Sequence, residues 1–500
     1  MAEVEILAKN LMIQGTMSGV GKSILTAGIL RILHRRGFRV APFKSQNMAL
    51  NSYVTRDGRE IGRAQALQAF AAGTEPVSDM NPILLKPMGE TMSQVIVNGL
   101  PVENMKASEY FKKKTEFLPD IKRAYDNLSR DADIIVIEGA GSPVEINLRK
   151  NDIVNMGLAE LLDAPVLLVG NIDPGGVFAQ LLGTVNLLGK EERERVKGLV
   201  INKFRGDRAL LEPGLSMFGE YCDIPFAGVV PYTELSLDEE DSVSARLTAD
   251  NSGFKGKAGR VSDVVNVAMV RLPFISNYTD FSALEVPGFT ELKYVDEPAG
   301  LQGADLVIIP GTKNTLADLK WLEGNGLADC IKEHAAGGGA VIGICGGFQM
   351  LGTGISDPGK REGGGEAKGL CLLPVSTVFE DEKHLTQTEG KIGRLDGFFE
   401  RLSGIRVFGY EIHMGESSSR GEIFPVAAKG TVLGTYIHGI FDCPEFTGKL
   451  LEILFEKKGI SEKLPRLEDP RLRQEKELDK LADVLSESLD MEMIYRIIGI

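Results

Sequence analysis

The chain has 500 residues, of which 43% are hydrophobic and 25% are charged, a composition typical of a globular protein. This length is too great for one ordinary hydrophobic core, so we expect two or three domains. With 56 basic against 70 acidic residues, the formal net charge is −14. That balance argues against nucleic acid or an anionic membrane as the main partner, but it does not exclude small anionic ligands.

The five cysteines are scattered along the chain, and no two of them form a CxxC pair. Their spacing predicts neither a zinc site nor a disulfide framework and favours a reducing compartment, for which we expect the cytoplasm. The first ten residues lack the charged-then-apolar layout of a signal peptide. From the acidic net charge we also expect no membrane partner.

The first predicted strand, near Asn10–Gln14, leads into a glycine-rich loop and then into an apolar-periodic helix that ends near Arg36. Strand, glycine-rich loop, Lys-Ser and helix together are the layout of a phosphate-binding loop. Backbone N–H groups would hold the β-phosphate, Lys22 would neutralise the β/γ oxygens, and the Ser23 hydroxyl would bind Mg²⁺. The strict pattern has Gly where this chain has Thr16. The residues expected to form the loop site are Gly15, Thr16, Gly19, Gly21, Lys22 and Ser23.

Further short apolar runs alternate with helical segments and predict a doubly wound parallel sheet. One of these strands, Asp133–Glu138, ends in a carboxylate at the sheet edge where such folds bind ligands. Glu138 is therefore a candidate Mg²⁺ ligand, the alternative being an acid that caps a helix. The other predicted strands of this half are 39–43, 165–170, 198–202 and 226–230.

Polar stretches between these strands carry side chains able to grip a large polar substrate. Each stretch taken singly is more simply a loop, but together, beside a phosphate loop, they predict a substrate site next to ATP. The candidate substrate residues are Asn47, Arg63, Gln65, Lys86, Glu145, Asn147, Arg149 and Asp173.

The periodic pattern weakens over 234–262, which we predict to connect a first domain, 1–233, to a second α/β domain, 263–460. In the second domain the apolar run 340–344 ends in Cys345 between glycines. This pattern predicts a buried strand, a sharp turn and a helix, with the cysteine raised at the turn as a nucleophile. The alternative is a buried cysteine in a packing turn.

A neighbouring imidazole would raise the thiolate fraction of Cys345 and could give a proton to a departing amine. Of the five histidines, His413 and His438 follow strand-like segments in the second domain. We favour His438 as the partner only slightly.

The chain ends in a charged extension, 461–500, in which leucines recur at helical spacing. We predict an amphipathic helix that packs on the second domain. The leucines in question are Leu478, Leu481, Leu485 and Leu489.

The residues around both candidate sites resemble known families. Gly343–Gly352, together with Tyr436-Ile-His438-Gly, resembles the glutaminase domain of class I glutamine amidotransferases. The phosphate loop resembles the dethiobiotin-synthetase-like branch of P-loop proteins, and the order of the two domains resembles the cobyrinate amidases. Within that group, five further motifs resemble the cobyric acid synthases, namely Ser45–Ser52, Glu60–Gln65, Asn81–Pro87, Arg271–Asn277 and Gly409–Gly415.

This resemblance implies two doubly wound α/β domains, an N-terminal P-loop ATPase sheet and a C-terminal class I glutaminase sheet. It implies amidation of the b, d, e and g carboxylates of a corrinoid, adenosylcobyrinic acid a,c-diamide, in cobalamin biosynthesis. L-glutamine would supply the nitrogen, ATP and Mg²⁺ would be needed, and one ATP would be spent per amide. The oligomeric state, monomer or homodimer, is left open.

The resemblance also implies roles for individual residues. Cys345 and His438 would be the catalytic pair, and the N–H groups of Gly346 and Gly311 would hold the oxyanion. The remaining expected roles are Ser23, Glu138 and Glu60 as Mg²⁺ ligands, Lys44 on the transferring phosphoryl group, and Asn202 on the adenine.

Two positions depart from the patterns of these families. Many class I glutaminases carry Glu two residues after the histidine, where this chain has Ile440, so no residue that orients His438 is identified. The family usually reads Asp-Arg-Gly-Gly where this chain has Asp173-Pro174-Gly-Gly. Two alternative functions are cobyrinic acid a,c-diamide synthase and a P-loop ATPase switch with an inactive glutaminase-like domain. Met17, where partition ATPases have a second lysine, argues against the switch.

Overall fold

The computed structural model describes residues 8–88, 91–237, 247–254, 264–362, 364–419 and 423–500. The chain divides into two compact units. The first comprises Met1–Ala49, Arg59–Asp241 and Arg473–Ile500, and the second comprises Leu50–Gly58 and Ser242–Leu472. Much of the predicted connection, 238–246 and 255–262, lies outside the described residues.

Strands and helices alternate through the first half of the chain. The strands are β1 (Lys9–Gly15), β2 (Val40–Phe43), β3 (Gln46–Met48), β4 (Ser52–Val54), β5 (Glu60–Gly62), β6 (Ile83–Pro87), β7 (Met92–Val97), β8 (Leu100–Lys106), β9 (Ile134–Glu138), β10 (Val166–Asn171), β11 (Val196–Phe204) and β12 (Phe226–Pro231). The helices are α1 (Lys22–Arg35), α2 (Arg63–Ala71), α3 (Ala107–Lys113), α4 (Leu118–Asp131), α5 (Met156–Leu161), α6 (Val177–Leu187), α7 (Lys190–Arg195) and α8 (Arg208–Phe218).

The second half continues the alternation and adds a long hairpin. Its strands are β13 (Val265–Val270), β14 (Thr290–Val295), β15 (Leu306–Ile309), β16 (Ala340–Ile344), β17 (Gly354–Asp357), β18 (Gly365–Lys368), β19 (Val375–Lys391), β20 (Arg406–Ser419), β21 (Ala427–Lys429) and β22 (Val432–Thr435). Its helices are α9 (Thr315–Gly324), α10 (Leu327–Ala336), α11 (Gly346–Leu351), α12 (Pro444–Lys458), α13 (Pro470–Ser488) and α14 (Met491–Ile498).

The main sheet of the first unit is parallel, in the order β12-β11-β10-β1-β9-β2. Its strands are apolar runs buried on both faces, as a sheet covered by helices on both sides requires. The strand order reverses at β1, so the loop after β1 lies at the switch point where open α/β sheets bind ligands. A second, four-stranded sheet has the order β3-β6-β7-β8. The predicted doubly wound P-loop fold of this domain is confirmed.

The second unit also contains a six-stranded sheet, in the order β14-β13-β15-β16-β22-β21. All its neighbouring pairs are parallel except β21 with β22. The strands β13, β15, β16 and β22 therefore end at one edge of the sheet, and their following loops meet there. The β19–β20 hairpin belongs to a separate four-stranded sheet, β18-β17-β19-β20. The predicted second doubly wound domain is also confirmed.

The C-terminal extension is helical as predicted, but the expectation that it packs on the second domain is wrong. Leu478, Leu481 and Leu485 are buried with apolar residues of β1 and α1 in the first unit. Arg31 of α1 also pairs with Glu475 and Asp479 of α13. Apolar spacing predicts a buried helix face, but it does not identify the surface that covers that face.

No helix in the described ranges combines the length and the apolar character needed to cross a lipid bilayer.

Candidate functional site

The phosphate loop of the first unit is shaped by glycines at the end of β1. Gly19 and Gly21 have φ angles of 72° and 93°, which residues with a Cβ rarely adopt. A Cβ built on Gly21 would lie 2.3 Å from Asn202 Nδ2. The loop therefore reaches its tight curve, and its close approach to β11, only with glycine at this position.

Lys22 begins α1 and is almost fully buried beneath this loop. Its ammonium group lies 3.2 Å from the carbonyl oxygen of Met17 and 3.3 Å from that of Gly141. The lysine is thus folded back across the concave side of the loop. Backbone N–H groups and an ammonium aimed at one concavity form an anion-binding arrangement.

Glu138 lies beside this loop because β9 runs parallel to β1, with Ile13 opposite Glu138 in the register. Its Oε1 accepts a hydrogen bond from Ser23 Oγ at 2.9 Å and lies 2.8 Å from Lys44 Nζ. Its Oε2 accepts from Gln68 Nε2 at 2.6 Å. Burial opposes ionisation, but the charge and hydrogen bonds of Lys44 and Gln68 outweigh it and hold the pKa of Glu138 below its ordinary value.

The other predicted nucleotide residues hold the loop. Thr16 N–H donates to Val169 O at 2.9 Å, and Asn202 Nδ2 donates to Val20 O at 2.8 Å. Asn202 therefore contacts the loop backbone, while its expected contact with adenine stays a prediction.

Four of the predicted substrate or metal residues form two buried polar pairs in the first unit. Glu60 and Lys86 form an ion pair in which both side chains are fully buried, and Asn47 Nδ2 donates to Gln65 Oε1 at 2.9 Å. The structure thus pairs Glu60 with Lys86 and brings Ser23, Lys44 and Glu138 together elsewhere. The proposed metal role of Glu60 stays a prediction.

The remaining predicted substrate residues are exposed or half-buried. Glu145 and Asn147 are exposed, Arg149 pairs with Glu192, and Asp173 lies 3.5 Å from Arg205 Nε. Arg63 begins α2. Their roles toward a substrate stay predictions.

In the second unit, Cys345 follows β16 and immediately precedes α11, as the sequence predicts. Its backbone has φ 52° and ψ −109°, a strained conformation for a residue with a side chain. A Cβ built on Gly347 would lie 2.0 Å from Ile309 O, so the turn needs glycine there. The strained turn holds the cysteine at the edge of the sheet where the neighbouring strands also end.

His438, three residues after β22, is fully buried and interacts with Cys345. Strands β16 and β22 are parallel neighbours, which brings the loops after them together. The competing histidine, His413, instead contacts Glu411 and the carbonyl oxygen of Gly415. The geometry therefore favours His438 as the partner of Cys345.

Sequence reasoning missed the residue that orients His438. Asp280 lies in the 3-10 turn Tyr278–Leu284 after β13, and its Oδ2 is 2.6 Å from His438 Nδ1. Both side chains are almost fully buried. Burial lowers the pKa of His438, but the charge of Asp280 and the contact with Cys345 outweigh it and raise that pKa to about 9. The signal available was an acid three residues beyond the motif that ends at Asn277.

Gly311 and Gly346 lie beside this triad. A Cβ built on Gly311 would lie 3.0 Å from His438 Cε1, so the glycine faces the imidazole. Gly346 is the first residue of α11, so its N–H has no acceptor within the helix. Both positions suit backbone donors to an oxyanion formed at Cys345.

These two units define the chain as a P-loop nucleotide-binding domain joined to a glutamine amidotransferase domain. Residues 11–243 match the model of the CobQ/CobB/MinD/ParA nucleotide binding domain. Residues 266–446 match the model of the CobB/CobQ-like glutamine amidotransferase domain.

Curated relatives narrow the class to one family. A cobyric acid synthase of Ruminiclostridium cellulolyticum is 50% identical, with 98% of this chain and 97% of the relative covered. Those of Lachnoclostridium phytofermentans and Clostridium acetobutylicum are 48% and 49% identical, each with 98% of this chain and 99% of the relative covered. The chain belongs to the cobyric acid synthase family, whose members are glutamine-dependent amidating ligases that use ATP.

Proposed function

We propose that this enzyme amidates the b, d, e and g carboxylates of adenosylcobyrinic acid a,c-diamide to give adenosylcobyric acid. The observation that carries the proposal is the Cys345–His438–Asp280 triad, on a chain that also holds Glu138 against a phosphate loop. A triad alone supports glutamine hydrolysis, whereas the phosphate loop adds the means to activate a carboxylate.

The reaction at the first unit begins with a carboxylate, which is a poor acyl donor. A carboxylate oxygen of the corrinoid attacks the γ-phosphorus of ATP, the bond to the β-phosphate oxygen breaks, and ADP leaves an acyl phosphate. Lys22 and the loop N–H groups hold the phosphates, and Lys44 neutralises the transferring phosphoryl group. Catalysis rests on positioning and charge stabilisation.

The donor set around Glu138 fits Mg²⁺. Ser23 Oγ and the Glu138 carboxylate are hard oxygen ligands that meet beside the phosphate loop, and Mg²⁺ is commonly held by one or two carboxylates plus substrate phosphates. Within the described residues, no group of three or more His, Cys, Asp and Glu side chains forms a metal cage. Bound Mg²⁺ would neutralise the charge on the β- and γ-phosphate oxygens.

The reaction at the second unit releases ammonia from glutamine. The Cys345 thiolate attacks the carboxamide carbon, the N–H groups of Gly346 and Gly311 stabilise the oxyanion, and His438 protonates the departing ammonia. His438 then takes a proton from water, which hydrolyses the glutamyl thioester to glutamate. Ammonia attacks the acyl phosphate, and phosphate leaves as the amide forms.

Replacement of Cys345 by serine tests the two-site scheme. Cys345→Ser is expected to abolish turnover with glutamine and to retain amidation with added ammonium. Lys22→Ala is expected to abolish amidation with either nitrogen source and to retain glutamine hydrolysis. If a folded Cys345→Ser protein forms no amide with either glutamine or ammonium, the two-site scheme is overturned.

Mass spectrometry of the corrinoid product separates the alternatives that share this architecture. Four amides added to the a,c-diamide support the proposal, whereas two added to cobyrinic acid itself indicate an a,c-diamide synthase. ATP hydrolysis without glutamine hydrolysis or amidation indicates a P-loop switch with an inactive second domain.

We also propose a reducing compartment, the cytoplasm, because all five cysteines are free thiols in the structure.

The oligomeric state, monomer or homodimer, is tested by light scattering on the purified chain.

A further inference from the structure

The segment Leu50–Gly58 belongs to the second unit, although the residues on both sides of it belong to the first. Val54 of this segment packs with Leu385, Tyr410 and Ile412 of the β19–β20 hairpin. Gln387 Nε2, from the same hairpin, donates a hydrogen bond to Val54 O. A piece of the N-terminal half of the sequence is thus built into the glutaminase unit.

The backbone of Ser52 joins this segment to the surroundings of the triad. Ser52 N–H donates to Asn277 Oδ1 at 3.2 Å, and Asn277 Nδ2 donates to Tyr410 Oη at 3.1 Å. Tyr410 Oη lies 3.2 Å from Ser52 O and also 3.2 Å from Asp280 Oδ1. A phenol has one proton, so the Ser52 carbonyl and the Asp280 carboxylate compete for it at equal distance.

The outcome of this competition bears on His438. When Tyr410 donates to Asp280, the carboxylate charge is better stabilised and attracts the His438 proton less strongly. When Tyr410 donates to Ser52 O, Asp280 loses that donor and becomes a stronger partner, which raises the basicity of His438. The ring of Tyr410 stacks on that of His438 with centroids 5.3 Å apart. Rotation of the hydroxyl hydrogen between its two acceptors requires no movement of this ring.

The other charged and titratable groups around His438 do not offer this choice. Cys345 and Asp280 face the imidazole directly, and Asp442 Oδ2 lies 3.4 Å from a Cβ built on Gly439, the next residue. Tyr410 contacts both the catalytic acid and the segment through one hydroxyl group. Asn277 also touches both, since its backbone oxygen accepts from Asp280 N–H and its Oδ1 accepts from Ser52 N–H, and its Nδ2 lies 3.4 Å from His438 Nδ1.

The segment also carries an unsatisfied polar group. Asn51, adjacent to Ser52, is buried, and neither of its amide atoms has a hydrogen-bond partner among the described residues. A buried amide without hydrogen-bond partners raises the free energy of this conformation. The free-energy difference between it and a conformation in which the segment shifts is therefore smaller.

We propose that Tyr410 is a positioning residue and that the segment Leu50–Gly58 sets the basicity of His438 by competing with Asp280 for the Tyr410 hydroxyl proton. This inference rests on the glutaminase function proposed above. It makes glutamine hydrolysis responsive to the position of a segment whose chain continues, at both ends, into the nucleotide-binding unit.

The test is the pH profile of glutaminase kcat/KM between pH 6 and 10.5, measured on the full chain. Tyr410→Phe keeps the stacked ring and removes the hydroxyl, so Asp280 loses a donor and the alkaline limb moves up by about 0.5–1 pH unit. Asn277→Gly tolerates the φ of 53° and removes the amide that accepts from Ser52 N–H, donates to Tyr410 Oη and lies 3.4 Å from His438 Nδ1. The segment then loses its tie beside Tyr410, so the Tyr410 proton passes to Asp280 and the limb moves down. Tyr294→Phe, a buried tyrosine in the same unit whose hydroxyl faces Tyr278 O, is the matched control and leaves the limb unchanged.

Opposite shifts in the two variants support the proposal, because general loosening of the fold would not move the limb in opposite directions. Limbs that coincide with the parent chain, or that move together, overturn it. An absence of glutaminase activity in the parent chain contradicts the proposed function instead, so the two failures are distinguishable.

Discussion

Asp280 and His438 are separated by 158 residues in the sequence, yet Asp280 Oδ2 lies 2.6 Å from His438 Nδ1. The contact fixes His438 with Nδ1–H directed at the acid, which leaves Nε2 for the thiol of Cys345. The contacting acid comes from the loop after β13, whereas the position two residues beyond the histidine, where many class I glutaminases carry Glu, is Ile440 in this chain.

Asp280→Asn is expected to lower glutaminase kcat/KM by about 10²–10⁴-fold, since the amide neither fixes the tautomer nor stabilises the imidazolium. The alkaline limb should also fall from near 9, because burial then acts on His438 without the opposing carboxylate charge. Amidation with ammonium should be retained. Asp296→Asn, which removes a carboxylate paired with Arg271 in the same unit, is the control. An Asp280→Asn enzyme with parental kcat/KM would show that the acid has no part in catalysis.

The sequence predicts the elements that periodicity and turn chemistry specify. The apolar runs around β1, β9 and β16 are long and continuous, and the glycines beside Lys22 and Cys345 are required by the backbone at those turns. Glu138 is predictable because parallel strands end at one edge, so an acid at the end of β9 falls beside the loop after β1.

Asp280 and the segment Leu50–Gly58 are not predictable in this way. Asp280 lies in a 3-10 turn without apolar periodicity, and its contact with His438 depends on the sheet order, in which β15 and β16 separate β13 from β22 and the loops after both strands lie at one edge. The segment Leu50–Gly58 and helix α13 pack against surfaces of complementary shape. The spacing of apolar residues within one element does not identify such a surface. The wrong prediction that α13 packs on the second domain has the same cause.

Glu138→Gln is expected to reduce ammonium-dependent amidation by about 10²-fold or more and to raise the Mg²⁺ concentration needed for half-maximal rate. The amide is a weaker metal ligand, and the substitution removes the negative charge that Glu138 places beside the buried ammonium of Lys44. Formation of ADP with ammonium as nitrogen source is the measurement. Glutaminase activity, and a Glu212→Gln control at an exposed pair with Arg208, should both stay at parental levels. An unchanged Mg²⁺ dependence would remove Glu138 from the metal site.

Asp318 in α9 makes stability depend on pH. Burial raises the pKa of Asp318 to about 7 in the folded chain, although hydrogen bonds from Thr312 and the Phe274 N–H oppose the shift. The folded state therefore holds the proton more tightly than the unfolded state does. The stabilising contribution is fully present below about pH 4 and is lost as the pH rises through 7.

The Asp318→Asn variant has no carboxyl group at this position. The unfolding free energy of the parent, minus that of the variant, should therefore fall by at most about 4 kcal/mol as the pH rises from 4 to 8. The single tryptophan, Trp321, lies on the same helix and reports the transition in urea by fluorescence. Asp296→Asn, which removes a carboxylate paired with Arg271, serves as the control. A difference between parent and Asp318→Asn that is constant with pH would contradict the shift.

Leu485 of α13 and Gly28 of α1 form a tight contact in which a Cβ added to Gly28 would lie 2.3 Å from Leu485 Cδ1. Leu485 is fully buried, so Leu485→Ala should lower the free energy of unfolding of the first unit by about 2–5 kcal/mol. Gly28→Ala should cost about 1–3 kcal/mol by overpacking. The double variant is expected to cost less than the sum, because the added methyl group occupies space that the leucine vacates. Thermal and urea unfolding of the four proteins give the coupling energy, with Leu472→Ala, at an exposed site on α13, as the control. Strict additivity would show that α13 does not pack on α1 in solution.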